Sequence, residues 1–208
     1  GSLTVTNSGL LSFTNIADMT LDGSFTQNGT GLVTSGASIT TTGDAVSFLA
    51  AVTLTENVGI STAGGLLTFA ADLGGGPVLT ANLGSGNLSF ASIGAAQPLG
   101  GIVVLSAGTI THNAATLIAG SYSATLSGDL LLHGNMTVGT ALTVTAGGWV
   151  IQDAALLITA PVVSLTATSG IGQGRAVNLS TQSLSAITSA GSILLTNVSA
   201  TTVTVTQL

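Results

Sequence analysis

Cysteine and lysine are both missing from this chain, and one arginine, Arg175, is its only permanently cationic side chain. The first absence excludes disulfide frameworks and cysteine-based metal centres, so stability cannot depend on the redox state of a compartment. The scarcity of cations, with seven acidic residues and a net charge of −6, leaves no footprint for phosphate and excludes nucleic acid as an expected partner. Charged residues of all kinds make up 4% of the chain, against about a quarter in ordinary globular proteins. Hydrophobic residues nevertheless reach 45%, which separates this composition from that of a disordered chain and supplies a core. Aromatics are also few, with five Phe, one Trp and one Tyr, too sparse for the girdles of an outer-membrane barrel. No apolar run has the length of a membrane-crossing helix; the most apolar piece, ALLITAPVVSL from Ala155, is broken by Pro161. A basic region followed by an apolar core and cleavage site is lacking too, so any export signal is expected outside this segment.

What the sequence does contain is a period. Short Val/Leu/Ile/Thr runs, separated by Gly, Asn or Asp, recur in rungs starting at Ile102, Tyr122, Leu142, Val162 and Leu184. Going backwards, starts at Val78, Val52, Leu32 and Leu10 continue the series, giving about ten rungs of roughly 20 residues, the signature of a solenoid. The two longest rungs contain GGGP at Gly74 to Pro77 and GAAQPLGG at Gly94 to Gly101, turn chemistry that reads as loop insertions. Alternation in runs such as LTVT from Leu142 sends one residue inward and a hydroxylic one outward. No segment holds apolar residues at helical spacing, so almost no helix is expected. The fold class that follows is all-β, a parallel β-helix, forming one continuous domain over residues 1–208. The C-terminal TTVTVTQL, from Thr201, ends in strand-like sequence, as expected of a segment of a longer protein or a filament subunit.

Within that register, Phe13, Phe25, Phe48, Phe69 and Phe90 are expected to stack in the core. Asn113, Asn135, Asp153 and Asn197, with Gly174 standing in once and Asn28 as an earlier instance, read as one corner column whose side chains hydrogen-bond along the axis.

Two stretches, GSFTQNGTGLVTSGASITTTGDAVSF from Gly23 and LTVTAGGWVIQDAALLITAPVVSLTATSGIG from Leu142, resemble the repeats of filamentous-haemagglutinin-like exoproteins and other giant repetitive bacterial surface proteins. The resemblance covers nearly the whole chain. It implies a right-handed parallel β-helix, export across a Gram-negative envelope, and service as a long adhesin or matrix fibre. The secretion cap typical of two-partner exoproteins is not evident here.

Candidates for chemistry are thin. Asp22 and Asp44 lie about one rung apart, with Asp18 nearby, but a hard cation gathers more oxygen ligands than these, and both sit beside glycines as turn residues do. His112 and His133, also one rung apart, lack the third ligand of a zinc site and read as hydrogen-bonded turn histidines. No Ser-His-Asp arrangement can be assembled. Trp149, beside Gly147 and Gly148, reads as buried at the inside of a corner, the alternative being an exposed ring that stacks on a sugar. Thr-Val-Thr occurs from Thr4, Thr143 and Thr202 but not at one offset in every rung, as an ice-ordering face requires. No catalytic, cofactor-binding or metal-binding residue is therefore assigned. The expected function is that of a non-enzymatic structural segment of an extracellular or cell-surface bacterial adhesin or fibre. Its expected partners are further copies of itself, end to end or side by side, and host or surface glycans, with no membrane-spanning segment. The rival reading is a carbohydrate-active β-helix enzyme of the polysaccharide lyase or hydrolase type.

Overall fold

A computed structural model describes residues 1–199 and 204–206. Among the described residues there is no helix and every strand pairing is parallel. The chain winds as a β-solenoid of about nine turns of about 21 residues each. Outer-membrane barrels and sandwiches pair their strands antiparallel, so the pairing separates this fold from both.

Each turn crosses three strand columns. The first holds Leu3–Val5, Phe25–Gln27, Val46–Phe48, Ile110–His112, Leu130–Leu132, Trp149–Gln152 and Gly170–Ile171. The second holds Leu11–Phe13, Val33–Ser35, Val52–Leu54, Thr116–Ile118, Met136–Val138, Ile158–Thr159, Val177–Ser180 and Leu195–Asn197. Two longer strands, Leu67–Gly74 and Leu88–Ile93, run through both columns and fuse them into one 17-stranded sheet. The third column is a separate 10-stranded sheet: Met19–Leu21, Ile39–Thr41, Val58–Ser61, Val78–Asn82, Gly101–Ala107, Tyr122–Leu126, Ala141–Ala146, Val162–Ala167, Ser183–Thr188 and Thr204–Thr206. Of the C-terminal TTVTVTQL, Thr204–Thr206 pairs with Ser183–Ser185, and the remainder lies outside the described residues.

The alternation read from sequence is what makes these strands. Along Tyr122–Leu126, the first, third and fifth residues are buried and the second and fourth exposed, because successive side chains on a strand point to opposite faces. Parallel in-register pairing then places each inward residue on its counterpart one turn away: Tyr122 on Leu142, Leu142 on Val163, Val163 on Leu184. The four later phenylalanines are fully buried, as expected. Phe13 packs edge-on against Phe25 with ring centroids 5.9 Å apart, while Phe48, Phe69 and Phe90 stack nearly parallel at 5.4 and 5.6 Å. These separations fall within the favourable range for aromatic pairs.

The rung starts at Ile102, Tyr122, Leu142 and Leu184 share one register, and Val162 stands one residue before its partner position. The start at Val52 belongs to a different column: Val52 pairs with Val33 and Leu73, whereas the position equivalent to Leu79 is Val58. The starts at Leu10 and Leu32 stand just before the same column, beside Leu11 and Val33, so the long rung expected between Val52 and Val78 comes from crossing from one column to the next. Of Gly74 to Pro77, Gly74 ends its strand paired with Thr53, and Gly75 to Pro77 is an ordinary corner before Val78. The stretch from Gly94 to Gly100 does add residues, since Leu79 pairs with Ile102 in the longest step of the third column.

The corners are narrow. A Cβ at Gly139 would run into the carbonyl oxygen of Ala119 one turn below, so this glycine is set by the closeness of backbone to backbone. The polar corner residues differ from the single column expected. Asn113, His133 and Asp153 follow one another at the end of the first column, while Asn135 precedes the second column and Asn197 sits within it. A different ladder operates instead. Asp18, Asn57, Asn87, Asp129 and Asn135 each stand just before a strand. Their side-chain oxygens accept the backbone N–H of Ser38, Val78, Thr109, Trp149 and Leu157, one turn on, at 2.6–2.9 Å. These contacts satisfy donors where the chain rounds a corner and the strand ladder has not yet begun.

Truncating a ring in the aromatic stack removes contacts from both neighbouring turns. Phe69→Ala is expected to lower the unfolding free energy by about 3–5 kcal/mol. Leu32→Ala, at an exposed position, should stay within about 0.5 kcal/mol of the parent; guanidinium titrations of both variants check this pair of expectations.

Candidate functional site

The chemistry-bearing side chains fall into one buried cluster and several separate surface positions. The buried cluster forms because His112 occupies the inward position next in register after Phe90. Its ring stacks on Phe90 with centroids 5.1 Å apart and leans on Tyr122 at 5.6 Å. Its Nε2 lies 3.1 Å from the Tyr122 hydroxyl and its Nδ1 lies 2.9 Å from Thr116 Oγ1. Each element contributes one member: Ile110–His112 from the first column, Thr116–Ile118 from the second, Tyr122–Leu126 from the third. The turn-histidine expectation therefore fails for His112, which is 1% exposed. A histidine in a stack of phenylalanines must remain flat and neutral to fit, and this one does. Burial lowers its pKa to about 3 and pushes the Tyr122 phenol above its ordinary range. Both groups are neutral at pH 7, so one ring nitrogen donates and the other accepts.

A hydroxyl, an imidazole and a second hydrogen-bonding group in line resemble the order of a nucleophile, base and orienting residue. Thr116 is only 3% exposed and Tyr122 not at all. No substrate reaches the hydroxyl in this conformation, and what the three groups do is satisfy one another across the core.

His133 does fit the surface reading. Its Nδ1 lies 2.8 Å from Asp153 Oδ2, with both side chains about half exposed. His112 and His133 are one residue out of register and point to opposite sides of the wall, so they do not converge. Asp22 and Asp44 are not stacked either. Asp22 Oδ1 accepts from the Thr42 hydroxyl at 2.9 Å, and the backbone carbonyl of Asp44 accepts from Thr41 at 2.6 Å. Asp18 is engaged with the N–H of Ser38 at 2.7 Å. Among the described residues, no group of three or more His, Asp or Glu side chains could hold a metal ion.

Trp149 departs from expectation as well. Val150 takes the inward position, and Trp149 lies on the outer wall, half-buried, its ring over Gly170 of the next turn. A Cβ at Gly170 would strike that ring. The nearby carboxylate of Asp129 receives the Trp149 backbone N–H. Thr4 lies in the first column and Thr143 in the third, so these two Thr-Val-Thr runs face different ways; Thr202 lies outside the described residues.

Three further polar residues escaped the sequence reading. Gln27 is fully buried and fully satisfied: its Nε2 donates to Asn7 Oδ1 and the Gly29 carbonyl, and its Oε1 accepts from the N–H groups of Leu49 and Ala50. Gln152 occupies the matching column further along; its Oε1 accepts from Asn178 N–H at 2.7 Å. Asp72 folds the Gly94–Gly100 stretch, accepting from Ser92 Oγ and from the N–H groups of Ala95 and Ala96. Among the described residues no helix is long and apolar enough to cross a membrane.

The His112 cluster gives stability a pH dependence with a definite sign. Its folded pKa lies below the unfolded value of 6.5, so the unfolded chain takes up the proton first. This contribution is complete above pH 6.5 and is lost as the pH falls from 6.5 towards 3. Between pH 7.5 and 4.5 the loss is expected to be about 2–3 kcal/mol. The double variant H112F/Y122F, which leaves no orphaned phenol, should lose that much less than the parent over the same interval in paired denaturant titrations. No protein-family model, no curated protein and no solved structure matches the chain.

Proposed function

We propose that this chain is a non-enzymatic structural segment of an extracellular bacterial adhesin or surface fibre, of the filamentous-haemagglutinin-like kind, and that it extends by stacking further turns or further copies end to end. The observation that carries this reading is the in-register stacking of like turns around one axial core, a repeat whose length the packing does not limit. Among the described residues Leu3, Val5, Leu11, Phe13, Met19, Leu21, Ile193 and Leu195 pack against that core while only partly buried, and a further turn, in the same polypeptide or in another copy, would cover them.

Repetition suits the role. Each turn contacts mainly its neighbours, so length increases without redesigning the core. Nine turns at about 4.8 Å make a rod of roughly 40 Å. A surface with so few charges offers little repulsion between rods lying side by side, and its exposed hydroxyls are suited to glycans. The resemblance of the repeats to exported surface proteins supports a location outside the cell.

Electron micrographs and sedimentation velocity across a concentration series test the proposal. Filaments several times longer than one chain are expected, shortened to single rods by Phe13→Asp, which places a charge in the joint. Single short rods at every concentration, or turnover of acidic or neutral polysaccharides by the purified chain, overturn it.

A further inference from the structure

One position in the third column breaks its own pattern. Its outward residues run Asp18, Ser38, Gly59, Thr80 and Val103 on consecutive turns. Only Gly59 has no side chain. Glycine in a strand interior weakens the strand, and its usual reasons are a left-handed backbone, a crowded Cβ, or something that must come close. The first reason does not apply, since Gly59 is not among the residues with positive φ. Nor does the second, because a Cβ here would meet only Ser38, at the ordinary contact distances of 3.4 and 3.8 Å. Corner glycines such as Gly86, Gly120 and Gly139 are different, with backbone of the adjacent turn where a Cβ would go, and Gly43, Gly76 and Gly174, which have open space there, lie outside the strands.

The missing side chain leaves a shallow, open notch of about 170 Å³ in the outer wall, bordered by Ser38, Thr40, Ile60, Ser61, Thr80 and Asn82 with Gly59 as its floor, and most of its exposed lining is apolar. The backbone here is committed to the ladder, Gly59 and Ser61 pairing with Thr80 and Asn82, so a ligand must be held by side chains. Those side chains are free to do so. The hydroxyls of Thr40, Ser61 and Thr80 have no partner among the described residues. Asn82 accepts from Ser106 through Oδ1, which leaves its amide hydrogens available, and Ser38 Oγ accepts from Gly59 N–H.

We infer that this notch is a binding site for one neutral pyranose unit of a glycan, its C–H face lying on Gly59 and its hydroxyls meeting Thr40, Ser61, Thr80 and Asn82. The chemistry selects this class. The volume is below the roughly 300 Å³ at which drug-sized pockets begin, so it admits a single ring. A bare glycine floor suits the flat C–H face of a sugar, and the surrounding donors and acceptors are neutral. Acidic sugars are disfavoured: Asp18 stands one turn beyond Ser38 in the same column, and Arg175, the sole arginine, sits in the loop before Val177–Ser180, several turns away. A shallow single-ring site binds weakly alone, and repetition along a fibre converts that into retention through avidity. The inference rests on the adhesin reading above for its biological setting.

The test uses the full chain on polymers displaying neutral hexoses and N-acetylhexosamines, beside sialylated and sulfated polymers. Gly59→Val fills the notch with a residue that favours strands, Ser61→Ala removes one hydroxyl, and Ser164→Val changes the same sheet several turns away. Retention of the parent on at least one neutral polymer is expected, with a loss of about tenfold or more in G59V, a smaller loss in S61A and none in S164V. G59V should melt at or above the parent temperature. Equal binding by G59V and the parent, no neutral polymer retained, or retention on acidic polymers alone overturns the site. Micrographs of the same samples separate the two proposals: rods without sugar binding remove the notch and leave the fibre, and sugar binding without rods does the reverse.

Discussion

In-register parallel pairing between successive turns is the constraint from which the remaining features follow. Once Leu142 is paired with Tyr122, and Val163 with Leu142, every side chain has its neighbours along the axis fixed, and like tends to lie on like. The rows of aliphatic residues, the run of phenylalanine rings and the columns of outward hydroxyls are three readings of one ladder. The corners obey it too, because Asp and Asn residues placed just before strands take N–H groups from the turn beyond. A polar residue that enters an inward row must therefore find partners on its own turn or the next ones. Gln27 finds four, three of them on the neighbouring turns, and His112 finds Thr116 and Tyr122, whereas Gln152 pairs only its Oε1 and its Nε2 is left without a partner among the described residues.

His112 shows how such a row tolerates an exception. An imidazole is flat enough to continue the stack above Phe90, and it carries two nitrogens that a phenyl ring does not. The inward position at Tyr122 brings a hydroxyl to one of them and the second column brings Thr116 to the other. The polar seam then costs little at neutral pH, because no charge is buried and both ring nitrogens are bonded.

Much of the architecture was legible from residue order. The spacing of Ile102, Tyr122, Leu142 and Leu184 gave the register of the third column, and the recurrence of phenylalanine from Phe48 to Phe90 gave the core row. The slip at Val52 has a physical origin: Val-Thr-Leu at Val52 and Val-Gly-Ile at Val58 are built from the same alphabet, so sequence does not tell one column from the next. His112 was visible in principle, since the interval between Phe69 and Phe90 leads almost to it, but histidine ordinarily signals a turn or a ligand. Trp149 was misplaced because its own bulk argued for burial, while the glycine that makes room for it outside, Gly170, is a full turn away. Gly59 stood among 29 glycines, and what distinguishes it from those that round corners is its place inside the strand Val58–Ser61 with room for a side chain it lacks.

The direction of the ladder has a mechanical corollary. Interstrand hydrogen bonds in this fold run along the axis of the rod, and the turns are covalently joined in one spiral. Axial tension therefore loads the rungs in series, and a turn at the end can peel away without shearing those behind it, its neighbours re-forming their pairing when the load falls. Leu67–Gly74 and Leu88–Ile93, which span two columns each, bind more backbone per turn than the three-residue strands near Leu3, so a turn at that end is expected to yield before those in the middle.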